Sequence, residues 1–576
     1  MNKYKKILIG FLIVIMILPY NAKAVEQNGQ RQEDLTFLWN TLKGKHPNII
    51  ANTTEEKLLL KKAEIEATSE NKTDIEFYLD LSNLLAMIGD SHTSIGFSSA
   101  AKSSLHILPV KIENYLGNWI LSSVEKEHEA CLGQSVVAIN RIPISEVAKR
   151  FKAIISADNE IKFIRQFKGQ FYVEEILAYL GIVNSGTAIP ITVQDKAGKT
   201  NDFIIKSISA SEKVAPDFMV SLSKKQAALP VTSYDKSKFY KSLPLNDKTY
   251  YIQYNVCQED KKVPMKSFVA QVKNDLSNGK YNKVLLDFRN NGGGSDGVIM
   301  PLLSVLTDEI RQKETKLYGL IGEATYSSAV INAVMVKEIG GILVGSPTSG
   351  SVNHFGSVNS FTLPHSGFKV GVSSKFINLS EFFESVNSYG IESLRPDLLV
   401  DQTIDNYISG LDTAVDYLVN RGEHISLPIN NTEGLTRARA VEMLYELAGK
   451  DSKSFENRTA PFKDVFQLAY YQPAVEWAKE NGIIKGKGLT FNPTSLITRE
   501  EFAVMLHNFV KYSKLTPQIK HQTVSFSDEA FISAWACDAV NTTYKWGLIE
   551  AELGDFKPKD TLTRLEGESI IQKLKL

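Results

Sequence analysis

The stretch TYSSAVINAVMVKEIGG, Thr325 to Gly341, sets two serines at the start of an apolar, helix-like run that two glycines end. At a helix N-terminus the unpaired N–H groups and the dipole favour negative charge. Ser327 or Ser328 would suit an attacking alkoxide there. Helix starts also recruit such residues simply as caps, and Thr325 and Ser327 fit that role equally well. Upstream, KVLLDFRNNGGGSDG (Lys283 to Gly297) runs from a buried-type strand into three consecutive glycines. Glycines let backbone amides approach a ligand, either to cradle phosphate or to form an oxyanion hole. No Gly-Lys-Ser/Thr follows, which disfavours the phosphate loop. The serine-bearing stretch holds no histidine, so a base with the proton affinity of imidazole, suited to neutral pH, would have to come from another segment.

The elements that must position these groups change character along the chain. Lys3, Lys5 and Lys6 precede an apolar run from Ile7 to Leu18 and then Ala22-Lys23-Ala24, which reads as a secretory signal over residues 1–24. Residues 25–103 read as helices, with Leu35, Leu38, Trp39 and Leu42 on one face. Residues 104–210 read as short strands, with the hairpin IPITVQDKAGKTNDFIIKSI. Over 211–422 buried-type strands alternate with helices, the signature of an α/β core with a largely parallel sheet. A linker at 423–433 leads to a repetitive region, 434–576.

Composition narrows the class. Lys plus Arg (65) equals Asp plus Glu (65), so no basic field is available for nucleic acid. Three cysteines in 576 residues argue against a disulfide framework. Once the signal is removed, no apolar stretch is long enough to span a bilayer.

GDSHT, LGQSVVAINRIPISEV, DFRNNGGG, TYSSA and VGSPTSG, in that order, resemble the C-terminal-processing (tail-specific) and tricorn-core family of serine peptidases, over roughly residues 33–420. The resemblance implies a PDZ-like β module followed by a crotonase-like α/β core. It makes Ser327 the nucleophile, with the amide of Ser328 and that of Gly292 or Gly293 for the oxyanion. One branch of the family takes its base from a lysine after a Thr-x-Gly turn; here TSGS places Ser351 at that position, and Lys337 lies mid-helix. The tricorn-like branch takes it from the helical segment, which points to His92 with Ser91 beside it and leaves His354 as the alternative base. An orienting glutamate is implied downstream, with Glu384 and Glu392 both open.

LTRARAVEML at Leu435, ITREEFAVML at Ile497 and LTRLEGESII at Leu562 share one pattern, their threonines 62 and 65 residues apart. Phe462/Phe526, Gly482/Gly547 and Phe491/Phe556 recur at 64 or 65. These resemble S-layer homology (SLH) repeats, which implies all-α modules bound to cell-wall polysaccharide. The residues carried over are Asp464, Trp477, Arg437, Arg499 and Arg564, whose guanidinium forks suit acidic sugars; helix caps and solvated arginines are the plainer reading. The first repeat lacks its front half, and Thr542 stands where the second has Trp477, so wall affinity is expected mainly on the Trp477/Arg499 surface.

Together these readings describe a multidomain α/β protein: a secreted serine endopeptidase at a bacterial cell wall, acting on peptide or unfolded protein, with no metal or organic cofactor. The alternative is a catalytically inactive binding protein of the same fold, held at the wall by the same repeats.

Overall fold

In the computed structural model the described residues are 29–226, 230–233, 235–313, 315–421, 434–450, 462–522, 525–552 and 554–575. The expected signal at 1–24 and the linker at 423–433 lie outside them. Among the described residues no helix is long and apolar enough to cross a membrane.

Three N-terminal helices, 29–45, Glu55–Thr68 and Asp74–Ala86, bury Leu35, Leu38, Leu42, Leu81, Leu84 and Leu85 in one cluster. Thr73 and Glu76 close a capping box at the start of the third helix. The cluster continues into Phe368, Val370 and Val372 of a β-hairpin, His354–Thr362 with Lys369–Ile377. Strand Ser94–Gly96 pairs antiparallel with that hairpin. The chain between Gly89 and Ser94, which carries His92, is thereby pinned at both ends.

A second sheet has seven strands, from Val110–Tyr115 to Thr200–Ile205, and takes in Met219–Ser221, beyond the boundary expected at residue 210. The hairpin Ile189–Gln194 with Thr200–Ile205 forms as its alternation predicts. The span expected as β also carries helices Glu160–Lys168 and Glu174–Tyr179, which pack Phe163, Phe167, Ile176 and Leu177 beneath the sheet.

The α/β region is built on a six-stranded sheet in the order Tyr240–Pro244, Thr249–Tyr254, Lys283–Asp287, Lys316–Ile321, Ile342–Gly345 and Leu398–Leu399. Only its first pair is antiparallel. Helices Met265–Asn278, Met300–Lys313 and Ser328–Glu338 cover one face. Ala414, Val415 and Leu418 cover the other. Strands buried on both faces read as continuous apolar runs, which is why this sheet was legible.

Helices Arg437–Leu447, Gln472–Glu480, Arg499–Ser513, Cys537–Lys545 and Arg564–Lys575 follow, with a shared core around Trp477, Phe502 and Leu506. Single bridges Gly434↔Thr563, Thr436↔Leu496 and Thr498↔Thr561 tie the three helix-leading threonines into one closed arrangement. This region docks on the α/β core: the Tyr470 amide donates to the Glu338 carbonyl at 2.8 Å and Arg311 to the Ala469 carbonyl at 3.0 Å.

Candidate active site

The loop after strand Lys316–Ile321 is suspended from its neighbours. The Thr325 hydroxyl donates to the Phe288 carbonyl at 3.0 Å and accepts from the Gly322 amide at 3.1 Å, while the Tyr326 amide donates to the Asn291 carbonyl at 3.1 Å. This turn delivers Ser327 to the cap position just before helix Ser328–Glu338 with φ +54° and ψ −129°, where a side chain is strained. Ser327 occupies the cap position, yet its hydroxyl makes no cap hydrogen bond and no other among the described residues. Capping therefore does not account for it. A Cβ on Gly293 would come within 2.8 Å of the Ser327 Cβ and 2.9 Å of the Tyr326 carbonyl, so only glycine allows this approach.

His92 lines the same cavity as Ser327. Its ring stacks between Tyr326 (centroids 4.5 Å apart) and His354 (5.1 Å). Its Nδ1 lies 3.4 Å from the Ser91 hydroxyl, which in turn lies 3.0 Å from an Asp158 carboxylate oxygen and 2.8 Å from the Tyr326 hydroxyl. The arrangement that satisfies every group has His92 Nδ1–H and Tyr326 O–H donating to Ser91, and Ser91 donating to Asp158. His92 Nε2 is then the lone-pair nitrogen, and it is buried with no hydrogen-bond partner. Burial, then the neighbouring His354, with Lys162 adding to them and Asp90 opposing, takes its pKa down to about 3, so the ring is neutral at ordinary pH. No hydrogen bond joins Ser327 to His92; such contacts are commonly long before substrate binds.

His354 is fully buried, its Nδ1 3.3 Å from the Val352 carbonyl and its Nε2 also unpartnered. It stacks behind His92 and does not line the Ser327 cavity. Of the expected oxyanion donors, Gly293 is already spoken for: its amide donates to Asn291 Oδ1 at 2.9 Å. Among the described residues the amides of Gly292, Gly294 and Ser328 have no such partner, and Gly294 and Ser328 line the cavity. The Ser328 hydroxyl secures the glycine turn by donating to the Gly294 carbonyl at 2.8 Å.

Glu384 and Glu392 are held away from this cluster. Glu384 accepts from Thr436 at 3.0 Å and Tyr470 at 2.8 Å, and Glu392 pairs with Arg395. Both line a separate cavity at the junction with the C-terminal helices. The acid linked to His92 is instead Asp158, through Ser91. Asp158 precedes helix Glu160–Lys168, whose Arg165 donates to the Ala324 carbonyl at 3.1 Å and Lys168 to Glu323 at 2.8 Å in the turn that bears Ser327, while its cap Asn159 donates to Ser351 Oγ at 2.8 Å in the turn after the next strand. Lys162 sits 3.6 Å from the centroid of the Tyr326 ring. Burial lowers its pKa to about 8 and raises that of Asp158 to about 6. The spacing of Asn159, Lys162 and Arg165 places them on one face at the start of this helix.

Lys337 pairs with Asp397 at 2.8 Å, well into the helix. Asp90, also unremarked in sequence, is fully buried and accepts from His46 at 3.1 Å and from the His92 amide at 2.9 Å, fixing the turn that carries the histidine. At the surface Glu125, Glu127 and His128 bring ligand atoms within 4.8 Å of one another, far from any of these groups in sequence.

Most of the expected wall-binding residues are internal. Trp477 is 2% exposed and packs against Tyr445, Phe509 and Tyr512. An outward Trp477 surface is therefore corrected to a core position. Arg437 donates to the Phe491 carbonyl at 3.0 Å and Arg499 to the Phe556 carbonyl at 2.8 Å, each stacked on the ring concerned. Asp464 accepts from the amides of Phe491 and Asn492, as Asp528 does from Phe556 and Lys557. Arg564 is the partly exposed member, paired with Glu568 at 3.0 Å and lining the junction cavity with Arg439 and Thr436.

These equivalences repeat along the sequence, and comparison with known proteins names the repeat. Residues 461–503 match the S-layer homology domain. The chain is 33% identical over 144 residues to an amylopullulanase of Thermoanaerobacterium thermosulfurigenes, 24% of this chain and 7% of that protein. It is 33% identical over 144 residues to exoglucanase XynX of Acetivibrio thermocellus and 32% over 145 to an endoglucanase of Bacillus sp. (strain KSM-635), covering 24% and 25% of this chain and 13% and 15% of those proteins. The chain thus spans a small fraction of each curated relative. Among solved structures it is similar to mature CPAF, at 13% identity and a TM-score of 0.48 over 70% of this chain and 99% of that one. The photosystem II D1 C-terminal processing protease gives 13% and 0.32 over 67% and 98%, and the tricorn protease 14% and 0.31 over 68% and 36%. These superpositions are loose, and none of them decides the chemistry of the pocket.

Proposed function

We propose that the chain is a serine endopeptidase exported to a bacterial cell surface and held at the wall by its SLH region. The observation that carries this reading is the pair in one cavity: a serine with a strained backbone and an unengaged hydroxyl, and a neutral histidine whose buried Nε2 is unpartnered. Ser327 Oγ attacks the scissile carbonyl carbon as its proton passes to His92 Nε2. The Ser328 amide, with that of Gly294 or Gly292, bonds the oxyanion. His92 returns the proton to the leaving amine, and water, deprotonated by His92, releases the acyl group. The Ser91 hydroxyl and the Asp158 carboxylate hold the ring and favour the imidazolium as it forms. In this reading residues 110–221 are the PDZ-like module, the six-stranded sheet and its helices the crotonase-like core, and 434–576 the SLH repeats, the first partial. Acidic wall polysaccharide is assigned to the junction cavity at Arg564 and Arg439 in place of Trp477.

The test is labelling by a fluorophosphonate probe, together with hydrolysis of an unstructured protein, in wild type, Ser327→Ala, His92→Ala and His354→Ala. Labelling and hydrolysis should vanish in the first two variants and persist in His354→Ala. Loss only in His354→Ala would reassign the base. Labelling that does not depend on Ser327 would leave a binding protein.

A further inference from the structure

The cavity that holds Ser327 is not closed by the α/β core alone. Ile331 and Met335, from the serine's own helix, and Phe382 and Phe383 line it together with residues Lys463–Gln467, which lie inside the segment that matches the SLH domain. Phe466 meets Phe383 edge-on at 5.6 Å and joins the apolar cluster of the α/β core. The segment is fixed from both directions. Asp464 binds the amides of Phe491 and Asn492, and the following Ala469-Tyr470 is hydrogen-bonded to Arg311 and Glu338.

The next repeat supplies an internal control. FKDVFQ at Phe462 aligns with FSDEAF at Phe526, so Val465 and Phe466 correspond to Glu529 and Ala530. The phenylalanine and aspartate that build the turn recur, with the same carboxylate-to-amide bonds. The apolar pair does not recur there. Val465 is 6% exposed and belongs to the apolar core of the repeats, whereas Phe466 is only partly buried and lies against the cleft, so Phe466, matched by an alanine in the next repeat, is the residue that distinguishes this one.

We propose that Val465 and Phe466 are a wall of the substrate pocket, which seats a large apolar side chain, aromatic or long aliphatic, next to the scissile bond. The anchoring domain is then also a specificity element of the peptidase site. The cavity, about 1030 Å³, has room for such a side chain and the flanking backbone. Burial of an apolar side chain against Phe466, Phe383 and Met335 supplies binding energy in proportion to the area covered. The charged lining residues Lys375, Lys463 and Asp296 are exposed, so a charged side chain seated against the phenylalanines loses hydration that they do not replace. This inference rests on the peptidase reading for the place of the scissile bond.

Binding is measured in the full chain carrying Ser327→Ala, by fluorescence anisotropy with labelled short peptides that differ at one central residue: Phe, Leu, Ala or Asp. The Phe and Leu peptides should bind about tenfold more tightly than the Ala and Asp peptides. Adding Phe466→Ala should remove most of that preference and leave the Ala peptide unchanged. Phe466→Leu, which keeps an apolar side chain at a partly buried position, should reduce the preference for Phe over Leu in a chain whose melting temperature is retained. Equal binding of all four peptides, absence of binding, or equal loss for the Phe and Ala peptides in both variants would overturn the inference. The readout needs no catalysis, so its failure is separate from failure of the peptidase reading, which wild-type labelling of Ser327 decides.

Discussion

Asp158→Asn isolates the charge behind His92. The carboxyl is buried, and burial lifts its pKa from 3.8 to about 6 against the hydrogen bond from Ser91. A raised carboxyl pKa means the folded state holds the proton more tightly than the unfolded one. Stability from this group is therefore complete below pH 3.8 and lost as pH rises through about 6. At about 1.36 kcal/mol per pH unit, the loss by neutral pH is on the order of 3 kcal/mol. Asparagine has the same shape and no charge, so it removes this loss; it also removes the attraction to Lys162, itself depressed to about 8 by burial. The net gain expected is about 1–2 kcal/mol at pH 8, falling to near zero at pH 4. Urea denaturation of wild type and variant from pH 4 to 8 measures it. Fluorophosphonate labelling supplies the functional half: wild-type reactivity should fall on acidification with a midpoint near 6, as Asp158 takes its proton, and the variant should be slow and flat across that range. A variant less stable than wild type at pH 8, or a difference that ignores pH, would refute the assignment of a buried, ionised Asp158.

Three further changes read other parts of the argument. Trp477→Ala should destabilise by about 3–5 kcal/mol in denaturant melts, because a fully enclosed ring is removed; a solvent-facing sugar platform would lose less than about 0.5. Gly293→Ala drives a methyl group to 2.8 Å from the Ser327 Cβ at a φ of +103°. Labelling of Ser327 should drop by about tenfold or more while far-UV circular dichroism is retained. Arg289→Met strips the fork that joins Asp287 and Asp412, both buried, and should cost about 3–5 kcal/mol by chemical denaturation at pH 7.

The parallel sheet could be read from the chain because strands buried on both faces are apolar without interruption, and the sheet's helices carry apolar residues at helical spacing. The repeats were legible because one structural unit recurs with its turn residues intact. Ser327 and His92 were legible as types in suggestive settings. The partners of His92 were not. Asp158, Lys162 and Tyr326 come from segments 66 or more residues away in the chain and meet only through the packing of one short helix against the loop before Ser327. The same limit explains the arginines and Trp477. A Thr-Arg pair looks alike in sequence whether its fork faces solvent or a carbonyl of the adjacent repeat, and a tryptophan carries no mark of the side on which it is buried.

What the sequence determined by itself is local and periodic: which segments are helix or strand, where glycine permits a close approach, and which residues can attack or accept a proton. What only the tertiary structure decided is which charges are desolvated and which polar atoms go unpaired, since both depend on neighbours distant in the chain. The tertiary structure leaves His92 Nε2 without a partner, satisfies the amide of Gly293, and sets an aromatic residue of the SLH region in the lining of the serine's cavity. Burial is a property of the assembled surface, and no single segment of the chain contains it.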